Sequence, residues 1–222
     1  MKEVPTAEGV FIAAGSLRTE SRMVLKLSLT IGAAFAFAEF VGYWLHVLLH
    51  NEKIPFLSRT HLLHHLVAYA RIKRAEQGGR PEDEPYDDHL FIGLEWILPV
   101  GAIISLAQIA LKLAGFPPLL QIVFIAASFL WGLFMFTYMH QALHEESFWM
   151  EGNGFMRELF LRARRRHHVH HLDLDGGGRI GKNYGILFFF FDDLFGSLDE
   201  NDPARVEDGV KAAFKHYSYL RR

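Results

Sequence analysis

An all-α membrane bundle of about three to four transmembrane helices, capped on one side by a helical lobe, is the fold this sequence predicts. Three observations predict it. Half of the 222 residues are hydrophobic, 20 of them Phe, yet mean hydropathy is only +0.11. Apolar and charged residues are therefore segregated into blocks. Three of those blocks approach the thickness of a bilayer, and each cluster of histidine lies at or just beyond the end of an apolar stretch. The length suits one domain, residues 1–222. A net charge of −2 gives no reason to expect a nucleic-acid partner, and the absence of Cys excludes disulfides and thiolate ligands.

Residues 1–22 are mixed and show no small-residue cleavage site, so the first span is expected to direct insertion itself. That span covers residues 29–45 and continues to His50. The second covers 92–114 and the third 119–139. At about 1.5 Å per residue these are roughly 26, 34 and 31 Å long. Against a hydrocarbon core of about 30 Å the first is marginal and the others fit. Gly115-Phe116-Pro117-Pro118 breaks the chain between the second and third spans and predicts an antiparallel hairpin. Residues 51–91 and 145–222 then share one side. Arg71, Lys73, Arg74, Arg80, Arg162, Arg164, Arg165 and Arg166 lie there, which makes it cytoplasmic by the positive-inside rule. The protein is expected in a bacterial inner membrane, or the endoplasmic reticulum of a eukaryote.

Within the cytoplasmic segments, residues 60–70 read as a helix capped by Thr60. Residues 74–88 read as a polar connector. Residues 152–166 read as an Arg-rich amphipathic helix, lying on the membrane surface or presenting a solvated face. No internal repeat is evident.

The histidines follow a fixed grammar: His46-x3-His50, His61-x2-His64-His65, His140-x3-His144 and His167-x2-His170-His171. Neutral imidazole is the commonest protein ligand for transition metals, and three or four satisfy one ion. Ten at helix-compatible spacing point to two ions, or to one ion with a large surplus of ligands, and the first is the reading adopted. His168 is a possible further ligand, and so is His89 beside Asp87 and Asp88; His216 reads as surface. His46 and His50 share a helix face with Tyr43 and Glu39. A carboxylate inside a span is a functional candidate by default; Glu39 would orient a ligand imidazole or cap a polar cavity. Tyr138, Gln141, Glu145 and Glu146 surround the third pair. The spacing places His61, His64 and His65 along one side of their helix, and His167, His170 and His171 copy that pattern beyond the Arg-rich helix.

Taken together, this order of motifs resembles the fatty acid hydroxylase and sterol desaturase superfamily of integral-membrane di-iron enzymes. Asn183-Tyr184-Gly185 and Phe191-Asp192-Asp193-Leu194-Phe195-Gly196-Ser197 are similar to that family's C-terminal pattern, so the likeness covers about residues 36–200. It implies a helical bundle under a cytosolic lobe, two irons held by the ten histidines named above, O2 as co-substrate, and attack on an unactivated C–H bond of a lipid. No cytochrome-like or flavin-like domain is evident at either end, so electrons are expected from a separate ferredoxin- or cytochrome b5-type protein. Desaturation or carotenoid ring hydroxylation on the same scaffold is the alternative, and a non-oxidative zinc-binding membrane protein a third reading. Zinc can also displace iron in purified protein. The first pair departs from the family pattern: many members have four residues between the histidines, which moves the second by about 100° around a helix.

Of the C-terminal residues, Asn183 and Gly185 suit a turn that positions the glycines at 176–178. Asp192 or Asp193 would receive a ligand N–H or cap a helix. Residues 188–191 suit an interfacial anchor or a wall for an acyl chain.

Overall fold

The computed structural model describes residues 7–68, 97–145, 147–172, 179–200 and 215–217. His89, Glu146, the 74–88 connector and the glycines at 176–178 lie outside the described residues. Among the described residues the protein is all-helical, as expected, with no β-strand. The longest helix, α1 (Ala7–Leu49), includes an apolar stretch Glu20–Leu49 of 30 residues. At about 1.5 Å per residue this is roughly 45 Å, so the first span is not marginal. Its helix starts well before residue 29, because Lys26 and its polar neighbours interrupt the apolar run without breaking the helix.

α2 (Pro55–Leu63) follows and widens into a π-helical turn, His64–Ala68. It starts at Pro55, whose fixed φ suits the first helical position, so Thr60 lies inside the helix rather than capping it. α3 (Ile97–Leu113) is mainly apolar, with Ser105, Gln108 and Lys112 as its polar residues. The chain then reverses as predicted. Gly115 (φ 73°) takes the left-handed conformation while Phe116 N–H bonds Leu111 O (3.0 Å) and Gly115 N–H bonds Lys112 O (3.1 Å). These two bonds satisfy the last carbonyls of α3. Pro117 and Pro118 start α4 (Pro118–His144), which carries a π-helical segment Phe134–Met139. Gln121, buried at the hairpin, accepts from Gln108 Nε2 (2.8 Å) and donates to Phe116 O (2.5 Å), so both ends of its amide are paired.

Two of these helices, Glu20–Leu49 and Pro118–His144, are long and apolar enough to cross a membrane, and α1 packs along α4. Their outer faces are left uncovered by the described residues, with Leu29 65% and Ile122 66% exposed; Leu113 on α3 reaches 83%. An apolar surface of this extent needs lipid or another protein around it. The described part of α3 has 17 residues, and residues 92–96 of the predicted second span lie outside the described residues.

The lobe is built from a 3-10 turn (Trp149–Gly152), α5 (Arg157–Leu172) and α6 (Phe190–Phe195). The Arg-rich helix thus starts five residues later than predicted and runs through the last histidine cluster instead of preceding it. Its Phe160, Ala163 and His167 face inward, and Phe160 packs with Met135, Met139, Met150, Ile186 and Phe189 in one core. That packing determines the helix's extent, because the buried stripe continues past the arginines. Arg164 lies over the Phe160 ring (4.7 Å) and pairs with Glu151 (2.8 Å); Arg166 pairs with Glu200. Of residues 188–191, Phe189 is in the core and Phe191 packs on Phe40 of α1, while Phe190 is exposed.

Candidate metal centre

Each half of the chain brings an HxxxH pair from the end of a long helix against an HxxHH set on a shorter one. α1 ends in i→i−3 bonds, His50 N–H to Val47 O (3.2 Å) and Asn51 N–H to Leu48 O (3.0 Å). This tighter winding carries His50 further round the axis than an α-turn would. It offsets part of the shift that the shorter spacing causes, and His50 joins His46.

Nine imidazoles fall into two groups, His46, His50, His61, His65 and His170 in one, and His64, His140, His144 and His171 in the other. Within each group the ligand nitrogens all lie within 4.8 Å of one another. His167 adjoins the second group, its Nε2 3.0 Å from that of His144 and 3.1 Å from that of His171. His168 is half-buried on α5 and belongs to neither group. The groups are back to back, with the His65 and His171 rings stacked 4.0 Å apart.

Sequence spacing placed each HxxHH set on one side of its helix, whereas the structure divides both. His61 and His65, four apart, serve the first group while His64 serves the second. His167 and His171 lie at the second while His170 crosses to the first. Neighbouring residues on a helix point about 100° apart, and residues four apart differ by only about 40°. A double histidine therefore spans two sites, and each half of the chain lends one imidazole to the other.

The arrangement fits metal ions better than it fits hydrogen bonding among the imidazoles. His61 Nε2 lies 3.0 Å from His46 Nε2 and 3.1 Å from those of His50 and His65. One nitrogen carries at most one proton, so three such contacts are not three hydrogen bonds. Nitrogens bound about 2.1 Å from one ion lie roughly 3.0–3.4 Å apart at octahedral to tetrahedral angles. His170 gives a second test. Its ring is fully buried, Nδ1 donates to Lys182 O (2.5 Å), and Nε2 has no hydrogen-bond partner among the described residues. A buried imidazole nitrogen that faces other imidazole nitrogens and makes no hydrogen bond suits metal ligation. Burial pushes His64 down to about 4, and His61, His65, His167, His170 and His171 well below the usual imidazole range, with neighbouring imidazoles adding to it. All are neutral at pH 7, the form that binds metal.

None of the residues expected to orient the ligands from behind bonds an imidazole in the described contacts. Glu39 accepts the Trp131 indole N–H (2.7 Å), which ties α1 to α4. Tyr43 OH lies 3.0 Å from Ser197 Oγ. Glu145 is exposed and turns the chain out of α4. Asn183 (φ 54°) is fully buried and donates to the carbonyls of Arg166 (3.0 Å) and Asp199 (2.7 Å) while accepting from Asp199 N–H (2.7 Å). It fixes α5 to the tail. Asp192 accepts from the backbone N–H groups of Tyr184 (2.6 Å) and Gly185 (2.7 Å) and from the Ser197 hydroxyl (2.7 Å).

The groups that do hold the imidazoles are carbonyls of that clasped segment. Tyr184 O accepts from His46 Nδ1 (2.5 Å), and Lys182 O from His170 Nδ1. Each fixes a tautomer with Nε2 turned inward. Sequence carries no signal for this, since every residue has a carbonyl; the Asn-Tyr-Gly motif marked the segment without its role. Gly185 has to be glycine, because a Cβ there would come 2.6 Å from Phe188 O and 2.9 Å from Asp192 Oδ2. Gly185→Ala should lower stability by about 1–3 kcal/mol, as overpacking does, and the check is thermal unfolding in detergent.

A cavity of about 510 Å³ opens beneath both groups, between α1, α3 and α4. Its walls are apolar apart from Ser128 and the imidazoles of His46, His61 and His140 at its head. The Ser128 hydroxyl is turned away to Ala34 O (3.2 Å).

A sequence model described as fatty acid hydroxylase matches residues 31–197. The chain belongs to the fatty acid hydroxylase family. The match takes in every histidine of the two groups, the hairpin and the Asn-Tyr-Gly and Phe-Asp-Asp segments. No curated protein and no solved structure gave a match. Membership of the fatty acid hydroxylases carries a general function, oxidative chemistry of the hydroxylase or desaturase type on a membrane lipid. The two long apolar helices agree with a membrane protein of that kind.

Proposed function

We propose that this fatty acid hydroxylase family member is a di-iron oxygenase that uses O2 and external electrons to hydroxylate an unactivated C–H bond of a lipid chain. The observation that carries the reading is the pair of convergent imidazole groups at the head of an apolar cavity. His46, His50, His61, His65 and His170 would hold one iron, and His64, His140, His144 and His171 the other, with His167 beside it. Bound there, two irons supply the activation of O2 and the removal of hydrogen from carbon. Everything else is work for the protein. The cavity offers an alkyl chain apolar walls and has no Asp, Glu, Lys or Arg among the described residues that line it, so a charged head stays outside. Lys182 and Tyr184 hold two imidazoles by their outer nitrogens, and burial of the histidines keeps bulk water from the reacting carbon.

In this reading the face that carries the histidine clusters lies in the cytoplasm, a placement that the arginines of α5 on the same side support. Electrons would arrive there from a separate ferredoxin- or cytochrome b5-type donor.

The test is lipid mass spectrometry of cells expressing the intact chain against the His170→Ala/His171→Ala double variant, which removes one imidazole from each group. A lipid one oxygen heavier, seen only with the intact chain, is the expected result. A lipid two hydrogens lighter would assign a desaturase. Identical lipids, with zinc retained by both proteins in cells, would overturn the oxidative reading.

A further inference from the structure

The two histidine pairs on the long helices stand over a facing pair of residues. Gly42 is one turn below His46 on α1, and Phe136 one turn below His140 on α4. Between them the gap closes: a Cβ built at Gly42 would overlap the Phe136 ring. The ring thus reaches across to the α1 backbone, and a glycine is what lets it do so. Phe136 lies in the π-helical segment Phe134–Met139, where His140 N–H reaches back to Met135 O. That wider winding gives the ring a direction an unbroken α-helix would not. Gly42, Phe136, His46 and His140 all line the cavity. Deeper down, Gly101 and Gly132 line it too, and a Cβ at either would meet nothing within 4 Å. One turn under the imidazoles the Phe136 ring reaches from α4 to the α1 backbone along the wall of this cavity, while Phe37 and Phe129 line it elsewhere.

We propose that Phe136, seated on Gly42, is the specificity-determining residue of this site. It admits a slender alkyl segment to the histidine head and holds ring-bearing or branched segments below it. This rests on the cavity being the lipid site of the proposed function, and it adds what that lipid must look like where it reacts. A straight methylene chain passes beside the ring, whereas a fused-ring lipid has to displace it. Displacement is blocked on one side by the α1 backbone at Gly42.

The direct test is equilibrium binding of radiolabelled stearic acid and cholesterol to the full-length protein in detergent, with no metal added, so that the readout does not depend on turnover. The wild type should favour stearic acid. Phe136→Ala should shift the ratio of the two affinities toward cholesterol on the order of tenfold, the scale of one steric contact in an apolar pocket. Phe136→Leu should fall between, which guards against a misfolded Ala variant. Gly42→Ala, which presses on the ring, should weaken stearic acid binding. An unchanged ratio in both Phe136 variants, or no binding of either lipid to any form, would overturn the proposal. Failure here is separable from failure of the oxygenase reading. An oxidised lipid made by the wild type with an unshifted ratio removes only the role of Phe136; a shifted ratio with no oxidised product removes only the chemistry.

Discussion

His61→Ala should cost the protein about one of two bound metal ions, and His144→Ala the other, with lipid oxidation lost in both. His61 Nε2 lies within 3.1 Å of three other imidazole nitrogens of the first group, so its removal opens the centre of that cluster. His144 has the same position in the second, its Nε2 3.2 Å from His64 and 3.0 Å from His167. Loss of a partner that merely orients a ligand lowers metal affinity about 10–100-fold; loss of a central ligand should exceed that. His168→Ala, outside both groups, should leave metal content unchanged and serves as the control. Elemental analysis of each purified variant beside lipid mass spectrometry reads the result. Two ions retained by His61→Ala would sink the assignment. Loss of both ions from either single variant would mean one cooperative cluster in place of two sites.

Much of this was legible in the sequence, and the parts that were not share a cause. Histidine at i and i+4 beyond an apolar run identifies a helix end and a ligand pair together, and Gly115 followed by two prolines marks a reversal by local stereochemistry alone. These features depend on neighbours in the chain. The division of His64 from His65, and of His170 from His171, depends on which helices pack on either side, and spacing alone placed each set on one face. The span of α5 was misjudged for a similar reason. Its arginines mark one face, but the helix also carries the buried stripe of Phe160, Ala163, His167 and His171, which runs past them. Least legible were the carbonyls of Lys182 and Tyr184. A backbone acceptor has no identity in sequence, and Asp192, whose carboxylate holds that backbone, looked like a direct partner of a histidine or a helix cap.

Asp192 should therefore behave as a positioning residue for one metal group and not the other. Its carboxylate is fully buried and holds the N–H groups of Tyr184 and Gly185 and the Ser197 hydroxyl. Burial raises its pKa while those hydrogen bonds work against the rise. Because the Ser197 proton is committed to Asp192, Tyr43 donates to Ser197 (3.0 Å), and the Tyr184 carbonyl takes the proton of His46 Nδ1. Tyr43 and His46, neighbours on one face of α1, are thus both moored to the segment that Asp192 organises. Asp192→Ala strands buried donors at about 1–3 kcal/mol each and should be markedly unstable. Asp192→Asn keeps one acceptor oxygen, and it is the informative variant. It should hold its helical circular dichroism, keep the metal bound by His64, His140, His144 and His171, and lose affinity about 10–100-fold at the His46 group. Titrating the purified variant with iron under anaerobic conditions separates the two sites. Weakening of both sites in parallel with loss of helix would reduce Asp192 to a structural clasp. Weakening at one site, with the fold intact, is what a carbonyl aimed at His46 requires.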